Sequence, residues 1–108
     1  VNLSRSDVQR LLAEHGIRPT KTLGQNFVVD ANTLERVVRL AEVGPGGTVV
    51  EVGAGLGALT LALAGTGARV LAIEIDRRLA AVLREVVDGR DVEVIEADAL
   101  RLDWAELL

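Results

Sequence analysis

An α/β fold built on a parallel sheet is predicted by three observations. After residue 47, short β-branched runs alternate with segments of helical period. The run Val49-Val50-Glu51-Val52 passes directly into Gly53-Ala54-Gly55-Leu56-Gly57. Each of the three runs ends beside an acid, at Glu51, Glu74 and Glu96 to Asp98. Strands alternating with helices build right-handed βαβ units, and a β-branched run without polar alternation reads as a parallel strand covered on both faces. Helices are therefore expected on both faces of the sheet.

The elements follow in order. Ser4 with Asp7 three residues on has the spacing of a capping box, with Asp in place of Glu or Gln. It opens a helix whose apolar stripe is Val8, Leu11 and Leu12 and whose end is Gly16. Residues 19–27 read as irregular. A second helix follows with Asp30 or Asn32 as cap, Asn32 and Glu35 having the box spacing. Leu34, Val37, Val38 and Ala41 form its stripe, and Gly44-Pro45-Gly46-Gly47 is its stop. Strands are expected at about 48–52, 69–75 and 92–96, and helices at about 57–65 and 77–87, the latter capped by Asp76. A short helical start is expected at Asp103. This divides the chain into an N-terminal helical segment, 1–47, and a βα segment, 48–108. In the usual doubly wound order strand 1 is central, paired on its far side by a later strand. Three strands leave that side open, so the chain is expected to be the N-terminal part of a longer protein.

Composition narrows the chemistry. The 108 residues are 49% hydrophobic and 26% charged, which suits one globular domain. There is no cysteine, so this chain has no disulfide, thiolate metal site or cysteine nucleophile. No apolar run approaches the roughly 20 residues of a membrane helix, and a soluble cytoplasmic protein is expected, without a membrane partner. The net charge of −4 is uneven. Residues 1–48 hold six Lys/Arg and five Asp/Glu, whereas residues 49–108 hold six and eleven. The acidic half is a poor footprint for a phosphate backbone, so any basic surface lies in the first segment or outside the chain. His15, the lone histidine, reads as a surface residue at a helix C-terminus.

The glycine loop carries the function. Glycines two apart allow a tight turn and close approach to a ligand. Gly53, Gly55 and Ala58 also satisfy the dinucleotide pattern, with Glu74 at the ribose-binding distance. On those residues alone, NAD and S-adenosylmethionine both remain open. Three acids favour S-adenosylmethionine. Glu51, two residues before the first glycine, repels a diphosphate and attracts an ammonium or sulfonium. Glu74 can accept from both ribose hydroxyls, and Asp98 from the adenine amino group. All three lie at the carboxyl ends of strands, where such sheets bind ligands.

Lys21-Thr22-Leu23-Gly24-Gln25-Asn26-Phe27-Val28-Val29-Asp30 resembles the K-x-L-G-Q-N-F-L-x-D signature of the ribosomal RNA adenine N6-dimethyltransferases. Glu51 to Thr60 is similar to their E-[IV]-G-P-G-x-G-x-L-T loop, with Ala54 where proline is usual. Ala72-Ile73-Glu74-Ile75-Asp76 and Glu96-Ala97-Asp98-Ala99-Leu100 resemble the next two motifs. The bacterial small-subunit type fits best, which dimethylates adjacent adenosines near the 3′ end of 16S RNA. The resemblance implies a partial Rossmann-like, S-adenosylmethionine-dependent methyltransferase fold and a ribosomal RNA partner on the small ribosomal subunit. It implies that Gln25 and Asn26 approach the methionine end of the cofactor. Glu51 belongs to the same site, and Gly53, Ala54, Gly55 and Gly57 form its floor. Glu74 would hold the ribose, Asp98 the adenine amino group, and Ala99 would pack on the adenine ring. No metal site is implied.

The family's N-L-P-Y motif, which supplies the aromatic clamp and the acceptors for the amino group, does not occur in these residues; their aromatics are Phe27 and Trp104. No catalytic residue is therefore assigned, and the fourth and later strands and the C-terminal helical domain of the family are not represented. An NAD-dependent oxidoreductase part and a non-catalytic ribosome-assembly module are the alternatives.

Overall fold

The computed structural model describes residues 3–18 and 30–108. Helix α1 (Arg5–Glu14) is opened by the expected capping box: Ser4 accepts from the Asp7 amide, and Asp7 accepts from the Ser4 amide. Helix α2 (Ala31–Ala41) starts after Asp30, so Asn32 lies inside it and the expected Asn32/Glu35 box does not form. It ends at Glu42, whose left-handed φ of 51° stops the helix two residues before Gly44. Then come β1 (Thr48–Val52), α3 (Ala58–Ala64), β2 (Arg69–Glu74), α4 (Arg77–Val86) and β3 (Val92–Glu96). A single 3₁₀ turn (Ala99–Arg101) and the short α5 (Trp104–Leu107) follow, with the Trp104 indole donating to the Ala99 carbonyl.

The sheet is parallel in the order β1-β2-β3. Its register aligns Val49, Val70 and Val92 in one row and Glu51, Ala72 and Val94 in another. Strand β2 is central and nearly all buried; β1 lies at an edge, paired only with β2 among the described residues. Both crossovers advance in one direction, and right-handed connections then put both helices on one face. The core agrees: Val70 and Ala72 pack with Leu56 and Leu63 of the loop and α3, and with Val82, Leu83 and Val86 of α4. Helix α1 contributes Val8, Leu11 and Leu12 to this same core. The two crossover helices α3 and α4 therefore share one face of the sheet, and the short α5 lies toward the other. On the opposite face, Leu107 and Leu108 of the C-terminal turn border a groove with Thr48, Arg69, Leu71 and Glu93. The cause is topological: consecutive crossovers in one direction cannot place helices on alternate faces.

Helix α2 packs beside α3 and buries only part of its stripe. Leu34 and Val38 are half-buried, while Leu40 is 74% exposed. No helix among the described residues is long and apolar enough to cross a membrane.

Candidate cofactor-binding site

The site is organised by the end of β2. The Ile73 carbonyl accepts from the Gly53 amide at 2.8 Å and the Ala54 amide at 3.2 Å, so the loop leaving β1 is hooked onto its neighbour. The Glu74 carboxylate, 5% exposed, continues this. Its Oε1 accepts from the Gly55 amide at 2.7 Å and its Oε2 from the Asp76 amide at 2.9 Å. The Glu74 carbonyl accepts from the Ala97 amide of the loop after β3. A single strand end therefore ties together the loops that follow all three strands.

Two glycines in the loop differ in kind. Gly57 (φ 95°) starts α3, and a Cβ there would lie 2.7 Å from Leu83 Cδ1 of α4. Its glycine is demanded by packing. Gly53 (φ 72°) has open space where a Cβ would stand. Its glycine is demanded by backbone conformation, and the space is available to a ligand.

Glu51 projects onto the core face of β1, in register with Ala72. Its carboxyl accepts a hydrogen bond from Thr60 Oγ1 of α3. Burial, opposed by that bond and reinforced by the nearby Glu74 charge, pushes its pKa up to about 7. Asp98 starts the 3₁₀ turn: Oδ1 accepts from the Leu100 amide at 3.0 Å, and Oδ2 lies 3.8 Å from Arg101 Nε. Ala99 is half-buried directly after it. The structure thus brings together Glu51, Gly53, Ala54, Gly55, Gly57, Glu74, Asp98 and Ala99 at the carboxyl end of the sheet. Gln25 and Asn26 lie outside the described residues. Each acid is already engaged by the chain itself, through Thr60 for Glu51 and through backbone amides for Glu74 and Asp98.

Sequence reasoning missed two sets of residues here. Thr60 closes the loop motif in the sequence with no role assigned to it, yet it is fully buried and bonded to Glu51. Val52, Ile75 and Leu100 are large apolar side chains left exposed at the same end of the sheet, at 60%, 65% and 95%. Their signal was position, since each stands within two residues of one of the three acids.

The donor set fits a cationic nucleoside cofactor: three acids, a loop with room above Gly53, and apolar surface beside them. A family model described as ribosomal RNA adenine dimethylase matches residues 17–108. The chain belongs to this family. The ribosomal RNA small subunit methyltransferase A of Moorella thermoacetica is 54% identical over 99 residues, covering 91% of this chain and 34% of that protein. That of Deinococcus radiodurans is 50% identical, covering 96% and 36%. The chain therefore spans about a third of the length of the curated dimethylase relatives it matches. Among solved structures, the 23S rRNA methyltransferase ErmE superposes with a TM-score of 0.65 at 41% identity, over 69% of this chain and 31% of its own. The N-terminal domain of EvdMO1, solved with SAH bound, superposes with a TM-score of 0.66 at 29% identity, over 97% and 50%. The three-stranded parallel sheet with its helices is accordingly an α/β fold of the methyltransferase type.

Proposed function

We propose that the chain is the cofactor-binding part of an S-adenosylmethionine-dependent ribosomal RNA adenine N6-dimethyltransferase of the small-subunit type. The observation that carries this reading is the convergence of Glu51, Glu74 and Asp98 around the glycine loop. Glu51 beside the loop suits a ligand with an ammonium and a sulfonium and opposes a diphosphate, which disfavours the NAD alternative, while Glu74 and Asp98 suit a ribose and an adenine. Family membership disfavours a purely structural module.

In this reading S-adenosylmethionine, when bound, supplies an electrophilic methyl group for the exocyclic nitrogen of adenine. The chain's residues bind and orient. Glu51 meets the positive charge of the amino-acid end, and Gln25 and Asn26 approach that end from the N-terminal segment. Gly53, Ala54, Gly55 and Gly57 are the floor. Glu74 accepts from the ribose hydroxyls with lone pairs beyond those used by Gly55 and Asp76, each carboxylate oxygen having two. Asp98 accepts from the adenine amino group, with Ala99, Ile75 and Leu100 as the apolar wall. The division at residue 47 is functional: 1–47 brings the K-x-L-G-Q-N-F motif, and 48–108 brings the loop and acids. The RNA target and the small ribosomal subunit are reached through the whole protein, whose place of action is the cytoplasm.

Calorimetric titration of the protein with S-adenosylmethionine, with NAD as control, tests the proposal. The expected result is saturable binding of S-adenosylmethionine, lost in Glu74→Ala, and no methyl transfer to RNA by these 108 residues alone. Binding of NAD alone, or folded protein that binds neither, overturns it.

A further inference from the structure

Thr60 is fully buried in the first turn of α3. A helical threonine commonly returns its hydroxyl to a carbonyl three or four residues back. Here Oγ1 donates to Glu51 Oε1, nine residues earlier and on the other side of the glycine loop. The bond joins strand to helix at the base of the loop. Among the described residues, Thr60 is the one hydrogen-bond donor to Glu51, and Glu74 on β2 is the one charged group acting on it.

We infer that Thr60 is a positioning residue whose hydroxyl holds the Glu51 carboxyl in place for the positive charge of the cofactor. The inference rests on the proposed function, because that reading places the cation at Glu51. The physical basis is that a carboxyl on a flexible side chain has several rotamers and two protonation states. A fixed donor selects one rotamer and favours the charged state. Burial and Glu74 act in the opposite direction. Removing the hydroxyl therefore leaves Glu51 both less fixed and harder to ionise.

Two measurements test this on the protein: ¹³C NMR titration of the Glu51 carboxyl, and S-adenosylmethionine affinity between pH 6 and 8.5. In the wild type, affinity should rise with pH as Glu51 ionises. In Thr60→Val, Glu51 should titrate at higher pH, and affinity at pH 7 should fall about tenfold, as for the loss of one hydrogen bond to a charged group. Part of the loss should return at pH 8.5. Thr60→Ser should restore both readouts, which a role in packing alone would not predict. Thr60→Ala, which lacks the hydroxyl without adding a methyl group, carries the same expectation as Thr60→Val should that variant not fold. Unchanged titration and affinity in the hydroxyl-free variants, or a serine variant as defective as they are, overturns the inference and leaves the proposed function standing. A folded wild type that binds no cofactor overturns the proposed function and this role with it, whatever the NMR titration shows.

Discussion

At the residue scale, Glu51 couples stability to pH. Its carboxyl has a pKa of about 7 in the folded chain against an ordinary value of 4.5. Between those values the unfolded chain releases a proton that the folded chain keeps, so stability falls as pH rises and levels off above 7. Glu51→Gln removes this dependence. The variant should be more stable than the wild type at pH 8, by on the order of 2 kcal/mol, and the difference should vanish at pH 4. Urea denaturation at the two pH values checks it; a difference independent of pH would show that Glu51 is not the titrating group. The ionised carboxyl therefore lowers stability above pH 7, and such perturbed groups cluster at functional sites. Glu51 itself was legible in the sequence from its place two residues before Gly53. Its partner was not, because a hydroxyl nine residues away meets it only when the loop folds back.

At the element scale, the glycine loop separates two constraints that look alike in sequence. Gly57→Ala puts a Cβ against Leu83 and strains a backbone at φ 95°. It should destabilise the protein by about 2–4 kcal/mol. Gly53→Ala meets no atom within 4 Å and carries only the strain of φ 72°, about 1 kcal/mol. It should fold, yet bind S-adenosylmethionine much more weakly because the methyl group occupies the space above the loop. Thermal melts and calorimetry on the two variants check this, and the reverse ranking in stability would refute the packing argument. The strands, α3, α4 and the Asp76 cap were legible because each is written locally, by a β-branched run, an apolar stripe or an acid whose side chain reaches the next amides. The cap of α2 was not: Asp30 and Asn32 are equally good N-cap residues, and only the observed start of the helix separates them.

At the scale of the whole molecule, α1 belongs to the same core as the sheet. Val8, Leu11, Leu12 and Ile17 are all at most 4% exposed. Each such burial stabilises by about 1.5–3 kcal/mol, and the four together rival the total stability of a small domain, about 5–15 kcal/mol. His15 at the end of α1 adds a 2.7 Å contact to Glu85 of α4. Deletion of residues 1–17 should therefore leave the remainder unfolded by circular dichroism, and Leu12→Ala should cost about 2–5 kcal/mol. A folded truncation would show that the βα segment holds its own core.

The sequence by itself determined the α/β class, the three strands, the glycine loop, the family resemblance and the three acids. These are carried by short-range patterns, where residue type and spacing act within one turn or one strand. Tertiary structure alone decided that the main helices share one face, that α1 completes the core, that Glu74 ties the loops together and that Thr60 holds Glu51. Those facts depend on which elements the chain brings side by side: the direction of the two crossovers settles the shared face, and the packing of α1 and the fold-back of the glycine loop settle the rest.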